Sequence, residues 1–312
     1  MTSFLGRLLL LASASFFLVQ IFVGALMAFL APAAIRRAER MRPQRAAGFL
    51  LTLRLFPAAF SVIVVALLCV PSYLRFEPRV AAEDVGFPCT AAAILGSMLC
   101  AVAIYRATSA LLRSSNYVRE CGGRPTCVEG EAVWIVQRKA GLALAGILRP
   151  RLLISESAMR QLSPAQLAVA LRHEHAHRAS QDNLKRLLML LAPPLFPNLR
   201  LLEQAWNKCA EWAADDHAAA GDEDRSALAD ALVRVARLQA GICMPPLVTS
   251  LVEADEDLSL RVDRLLQAPR VSQSNSSLGA AALSAIALLI GCIAINPAAQ
   301  RVVHQLLERL LD

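Results

Sequence analysis

The chain has 312 residues, 56% of them hydrophobic, a mean hydropathy of +0.47 and a formal net charge of +7. This is too apolar for an ordinary soluble domain and marks a protein of the lipid bilayer. The positive charge is carried almost entirely by arginine, and its clustering reads as a topology signal and not as a nucleic-acid footprint, so no direct nucleic-acid partner is expected.

Crossing the hydrocarbon core as a helix takes about 20 apolar residues, and four stretches meet or approach that length: Leu8 to Pro32, Phe49 to Pro71, Cys89 to Leu112 and Leu278 to Ile295. The first is too long for a secretory leader and is followed directly by arginines, so it is expected to stay as a span. Arg54 and Arg106 lie inside two of the spans and are expected to snorkel to the headgroups. Arg36, Arg37, Arg40, Arg42 and Arg45 crowd the first connection, whereas the second balances Arg75 and Arg79 against Glu77, Glu83 and Asp84. The first connection is therefore assigned to the cytoplasm, with the amino terminus outside and the multi-pass chain in the inner or plasma membrane. The expected organisation is three spans within 1–112, a cytoplasmic domain over 113–277, a fourth span over 278–296 and an extracytoplasmic tail over 297–312. In that tail, Gln300 to Leu311 reads either as an amphipathic helix on the membrane surface or as a solvated one. Cysteines such as Cys69, Cys100 and Cys292 fall in apolar runs and act as small hydrophobes. Cys121 and Cys127 lack a metal-binding spacing and are read as free thiols.

In the 113–277 segment the pattern becomes mixed, predicting a globular α+β domain. Val133 to Gln137 reads as a strand, and Leu142 to Ile147 with Arg151 to Ser155 as a hairpin turning near Arg149-Pro150. Such a strand beside the following helix is expected to be an edge onto which an extended peptide adds. Ser163-Pro164-Ala165-Gln166 forms a capping box with proline at the first helical position, so a helix begins there. On it lies His173-Glu174-His175-Ala176-His177. Histidines four apart share a helix face, so His173 and His177 converge on one ion, and Glu174 stands at the rim as a base for metal-bound water. His175 is rotated off that face. The helical pattern is expected to run on to Ala192 and stop at Pro193-Pro194. Leu187 to Phe196 is apolar enough to pack on the spans or the bilayer surface.

A second helix, Asn198 to Ala220, places Glu211 and Asp215 four apart on one face. Glu211 is the candidate third ligand, and Asp215 the carboxylate that fixes a histidine tautomer. Asp182 is read either as a further partner of the site or as exposed, and Asp216 and His217 as solvated. Helices over Asp224 to Ala240 and Leu258 to Gln267 close the domain, and Gln273 to Ser277 is a polar linker. Two imidazoles, a carboxylate and a base are what a zinc hydrolase needs, so Zn2+ is the expected cofactor.

Arg149-Pro150-Arg151-Leu152-Leu153-Ile154-Ser155, Leu171-Arg172-His173-Glu174-His175-Ala176-His177, Asp182-Asn183-Leu184, Phe196-Pro197-Asn198 and Glu211 to Asp215 together resemble the integral-membrane zinc peptidases of the Bla and Mec beta-lactam sensor-transducer systems. That resemblance implies a gluzincin-type peptidase domain between spans three and four, with His173, His177 and Glu211 on zinc and Glu174 as the catalytic acid/base. It also implies a peptide or protein substrate such as a transcriptional repressor, or the chain itself, and allows a homodimer. Those receptors carry a penicillin-binding domain after the fourth span, where this chain has only residues 297–312, so antibiotic sensing is not expected. The HtpX-like and CAAX-processing membrane metallopeptidases are a second resemblance, differing at Ala176. A non-catalytic signalling scaffold with a structural zinc is the alternative from another class.

Overall fold

A computed structural model describes residues 4–77, 85–128, 130–137, 141–147, 150–192, 194–239, 245, 247–251, 255–267, and 296, 298, 300–302 and 305. Three apolar helical units dominate: α1 (Phe4–Ala38), α2 (Pro43–Val64) continuing through a π-helical turn at Val65–Cys69 into α3 (Val70–Phe76), and α4 (Phe87–Cys121). Each contains a window apolar enough to cross a membrane, with mean hydropathies of 2.2, 2.4 and 2.0. The expected fourth span at 278–296 lies outside the described residues.

Local chemistry explains the shape of these helices. Pro71 has no N–H to continue the ladder, and the wider π turn just before it carries the helix past the proline to Phe76 instead of ending it there. The α1 and α4 backbones meet at Gly96, where a Cβ would stand 2.3 Å from the Ser13 carbonyl oxygen, so the crossing requires glycine.

The soluble part is built on a sheet of β1 (Arg124–Val128), β2 (Glu131–Val136), β3 (Leu142–Ala145), β4 (Arg151–Ser155) and β5 (Val248–Ser250), in the order β1-β2-β4-β3-β5. β2 and β4 are parallel and the other pairs antiparallel. The expected β3–β4 hairpin forms, but neither strand is an edge. β3 is covered by β5, a three-residue strand with no periodic signal of its own, and β4 by β2. The described sheet ends at β5, a buried strand, and at β1, an exposed strand whose Pro125 obscures it in the sequence.

The domain's described helices are α5 (Glu156–Gln161), α6 (Pro164–Ser180), α7 (Asp182–Leu191), α8 (Pro197–Ala218), α9 (Asp222–Gln239) and α10 (Asp255–Leu266). α6 begins at the predicted capping box, with the Ser163 hydroxyl accepting from Gln166 N at 3.3 Å and Gln166 Oε1 accepting from Ser163 N at 3.0 Å. Leu144, Leu152 and Ile154 of the sheet pack with Val169, Ala170 and Leu171 of α6 and Leu228, Leu232 and Val235 of α9 in the domain's core.

α6 does not run on to Ala192. It stops at Ser180 because Gln181 takes a left-handed backbone, φ 56°, and α7 leaves in a new direction. α7 and the first half of α8 then each pack on the spans, α7 mainly on α4 and α8 on α2 and α1, as the apolar Leu187 to Phe196 run predicts. Leu199, Leu202 and Trp206 bury against Val23, Met27, Ala31 and Leu50. Phe196, the N-cap of α8, presses on Gly24 of α1, where a Cβ would meet its ring at 3.1 Å. Arg54 corrects another expectation: it does not snorkel. It is 2% exposed and donates to the Met189 carbonyl at the end of α7 at 3.4 Å and to Glu203 of α8 at 3.3 Å, tying both helices to α2. The Met189 carbonyl also accepts from Ala192 N at 3.2 Å, so Arg54 adds a charged donor at the helix C-terminus, where a cation is favoured.

Candidate metal centre

His173 and His177 sit on the inner face of α6, and Glu211 arrives from α8, which crosses beside it. Their donor atoms all lie within 4.8 Å of one another. His173 Nε2 and His177 Nε2 are 3.1 Å apart, His177 Nε2 is 3.4 Å from Glu211 Oε1, and His173 Nε2 is 3.5 Å from Glu211 Oε2. Tetrahedral zinc with ligand bonds of about 2.0–2.1 Å sets its donors about 3.4 Å apart, and the imidazole pair, and each imidazole with one of the two Glu211 oxygens, stand near that separation.

The far side of each imidazole is also held. His173 Nδ1 stands 3.0 Å from Asp215 Oδ1, and His177 Nδ1 stands 2.7 Å from Asp182 Oδ2. A carboxylate at Nδ1 keeps the proton there and turns the Nε2 lone pair inward. Asp215 therefore occupies the position expected for it. Asp182, left open between two roles by its sequence, is buried and partnered, because the turn at Gln181 swings it back toward His177. Lys185 Nζ holds its other oxygen at 2.7 Å, and the neighbouring Asn183 donates from Nδ2 to the Gly146 carbonyl at 2.8 Å, pinning the β3–β4 turn beside the site.

All these groups are buried: His173, Glu174 and Asp215 at 0% exposure, His177 at 1% and Glu211 at 6%. Glu174 is close enough to act electrostatically on both His177 and Arg261. Arg261 of α10 was not anticipated. It lies 3.0 Å from Glu211 Oε2 through Nη1 and makes a two-pronged contact with Asp215, Nε to Oδ2 at 3.0 Å and Nη2 to Oδ1 at 2.7 Å. The available signal was an arginine on the apolar face of Leu258, Val262 and Leu265, which needs an anion in the core.

Without a metal, protons take its place. Burial opposes charge on His173 and His177, but Asp215 and Glu211 raise the first, and Glu211 and Asp182 raise the second well above the ordinary imidazole range. Burial likewise works against Glu211, yet His177 and Arg261 hold it well below the usual carboxylate range. Asp215 is lowered by Arg261 and His173 against the same burial cost. A metal would displace these protons, as any ligand set of neutral imidazoles and carboxylate requires.

The remaining candidates lie elsewhere. His175 turns outward to Glu131 Oε1 at 3.0 Å, Asp216 is held by Arg264 at 2.6 Å, and His217 is exposed. Beside His177 is a cavity of about 150 Å³, lined by Leu144, Ile147, Pro150, Gln181 and Leu184 among others. Comparison of the chain with protein-family models and with curated proteins finds no match.

Proposed function

We propose that the protein is a membrane-bound zinc endopeptidase of the kind its motifs resemble, with His173, His177 and Glu211 as ligands and Glu174 as the acid/base. The observation that carries this reading is the grouping of His173, His177 and Glu211, whose donor atoms lie within 4.8 Å of one another, with a carboxylate behind each imidazole. Two histidines and a glutamate with one open position is a hydrolytic donor set. Bound there, zinc would supply Lewis acidity and lower the pKa of a coordinated water toward ~7. Glu174 would take a proton from the attacking water onto its carboxylate and deliver it to the leaving amine. Asp182 and Asp215 would hold the two imidazoles in the inward-facing tautomer throughout. The cavity beside His177 has the dimensions of a residue flanking the scissile bond, and the open edge of β1 is where an extended peptide would pair.

In this reading the peptidase domain faces the cytoplasm and the chain crosses a fourth time between 278 and 296. Gln300 supports the crossing: its carbonyl accepts from Ser72 Oγ at 2.8 Å and its Oε1 from Arg75 at 3.1 Å, at the end of the α2–α3 unit remote from the metal centre. The substrate would be a cytoplasmic regulatory protein, such as a repressor, or the chain itself.

One observation favours the scaffold alternative: the ligands are enclosed, as in structural zinc sites. Glu174 separates the two readings, since a structural zinc has no use for a base. Cells producing wild-type or Glu174→Gln protein should therefore differ in the new protein amino termini they contain, profiled by mass spectrometry. General-base loss of about 10²–10⁴-fold would erase the wild-type-specific cleavages while zinc stays bound. Identical profiles, with the zinc retained, would favour the scaffold.

A further inference from the structure

Arg261 is only 3% exposed, and its guanidinium reaches three anchors at once. Nε and Nη2 grip both oxygens of Asp215, at 3.0 and 2.7 Å, while Nη1 lies 3.0 Å from Glu211 Oε2 and donates to the Leu251 carbonyl at 2.7 Å. Glu211 is a face of the proposed metal site, and Asp215 orients His173. Both stand on α8, one turn apart, whereas Arg261 comes from α10. Its planar, fixed fork spans two carboxylates in a way that a lysine ammonium, a point charge on a flexible stem, does not.

Resting on the metal-site reading above, we propose that Arg261 is the positioning residue of the centre: it fixes the rotamer of Glu211 for the ion and the carboxylate of Asp215 for His173, so that α10 sets the geometry of a site whose ligands lie on α6 and α8. Two physical points carry this. First, Glu211 alone could swing, because its contacts to the two imidazoles, at 3.4 and 3.5 Å, are too long to hold it; the shortest hold described on it is Arg261. Second, a second arginine on the same helix provides a built-in contrast. Arg264 also binds α8, meeting both oxygens of Asp216 at 2.6 and 2.7 Å and lying over the Trp212 ring, but it touches no residue of the centre. α10 would thus be attached to α8 by two arginines, of which one reaches the metal ligands and the other serves attachment alone.

The test uses the full-length protein in detergent micelles. Zinc affinity is measured by competition with a chromophoric chelator, and the visible spectrum is recorded after cobalt substitution, for wild type, Arg261→Lys, Arg261→Met, Arg264→Met and His177→Ala. Loss of an outer partner that orients ligands weakens metal affinity by about 10–100-fold. Both Arg261 variants should show that loss and an altered cobalt spectrum, whereas Arg264→Met keeps the wild-type affinity and spectrum. The lysine variant preserves the buried charge, so it keeps the test available if the methionine variant does not fold. Wild-type affinity and spectrum in Arg261→Lys, or an equal loss in Arg264→Met, would overturn the inference while leaving the metal centre in place. A wild-type protein that binds no more metal than His177→Ala would overturn both.

Discussion

Each imidazole of the centre has two tasks, one per nitrogen, and the distances assign them. Nε2 atoms point at each other and at Glu211, and Nδ1 atoms at Asp182 and Asp215. In the metal-free protein this arrangement couples stability to pH with opposite signs. The histidines are raised above their ordinary 6.5, so their contribution is complete below 6.5 and is lost as pH rises through the elevated value. Glu211, Asp215 and Asp182 are lowered from 4.5, 3.8 and 3.8, so theirs is complete above 4.5 and is lost as pH falls through the depressed values. The apoprotein should therefore be most stable between pH 4.5 and 6.5, and zinc should add most to the melting temperature above that window, where protons no longer hold the imidazoles. A melt series with and without chelator checks this; a zinc increment that grows toward lower pH contradicts it. His173 and His177 were legible because their spacing is local: four residues apart on one helix means one face, and Glu211 was legible by the same spacing to Asp215 on a second helix. Arg261 was not, because a lone arginine on a short apolar stripe announces a buried anion without saying which one.

At the scale of elements, the decisive feature is the break between α6 and α7. The hydrophobic pattern continues through it, so the sequence reads as one helix, yet a single left-handed residue at Gln181 reverses the chain enough to bring Asp182 behind His177 and Asn183 to the β3–β4 turn. A left-handed conformation costs a residue with a Cβ about 1–2 kcal/mol, of which glycine gives back part in unfolded-state entropy. Gln181→Gly should therefore leave the protein as stable or more stable by up to ~1 kcal/mol, and Gln181→Val should destabilise it; thermal melting of the detergent-solubilised protein distinguishes them. A marked loss with glycine would mean that the glutamine side chain, and not the turn, holds the junction. Sheet order was hidden for a related reason. Strand identity is written in alternation and turns, but that β2 and β5 flank the β3–β4 hairpin depends on pairings across 19 and 105 residues, such as Val133 with Leu152 and Leu144 with Thr249.

For the whole molecule, α8 joins the spans and the domain. Its tip, Phe196, rests on Gly24, about 20 Å along α1 from Ala38 at 1.5 Å per residue, within the apolar part of that helix. Its other end delivers Glu211, immediately after Ala210, whose side chain belongs to the same apolar cluster as Ala38 and Ala46. The proposed centre is therefore mounted directly on the spans and not on a tether, and Arg54 fastens the mount from α2. Composition announced the membrane and the motif announced the site; that the two share one helix was not visible in either. Metal analysis of the purified protein decides whether this mount carries a zinc ion on His173, His177 and Glu211. About one zinc per chain is expected, with most of it lost in His177→Ala and in Glu211→Ala. Zinc unchanged by either substitution, or iron in its place in the wild-type protein, would contradict the assignment.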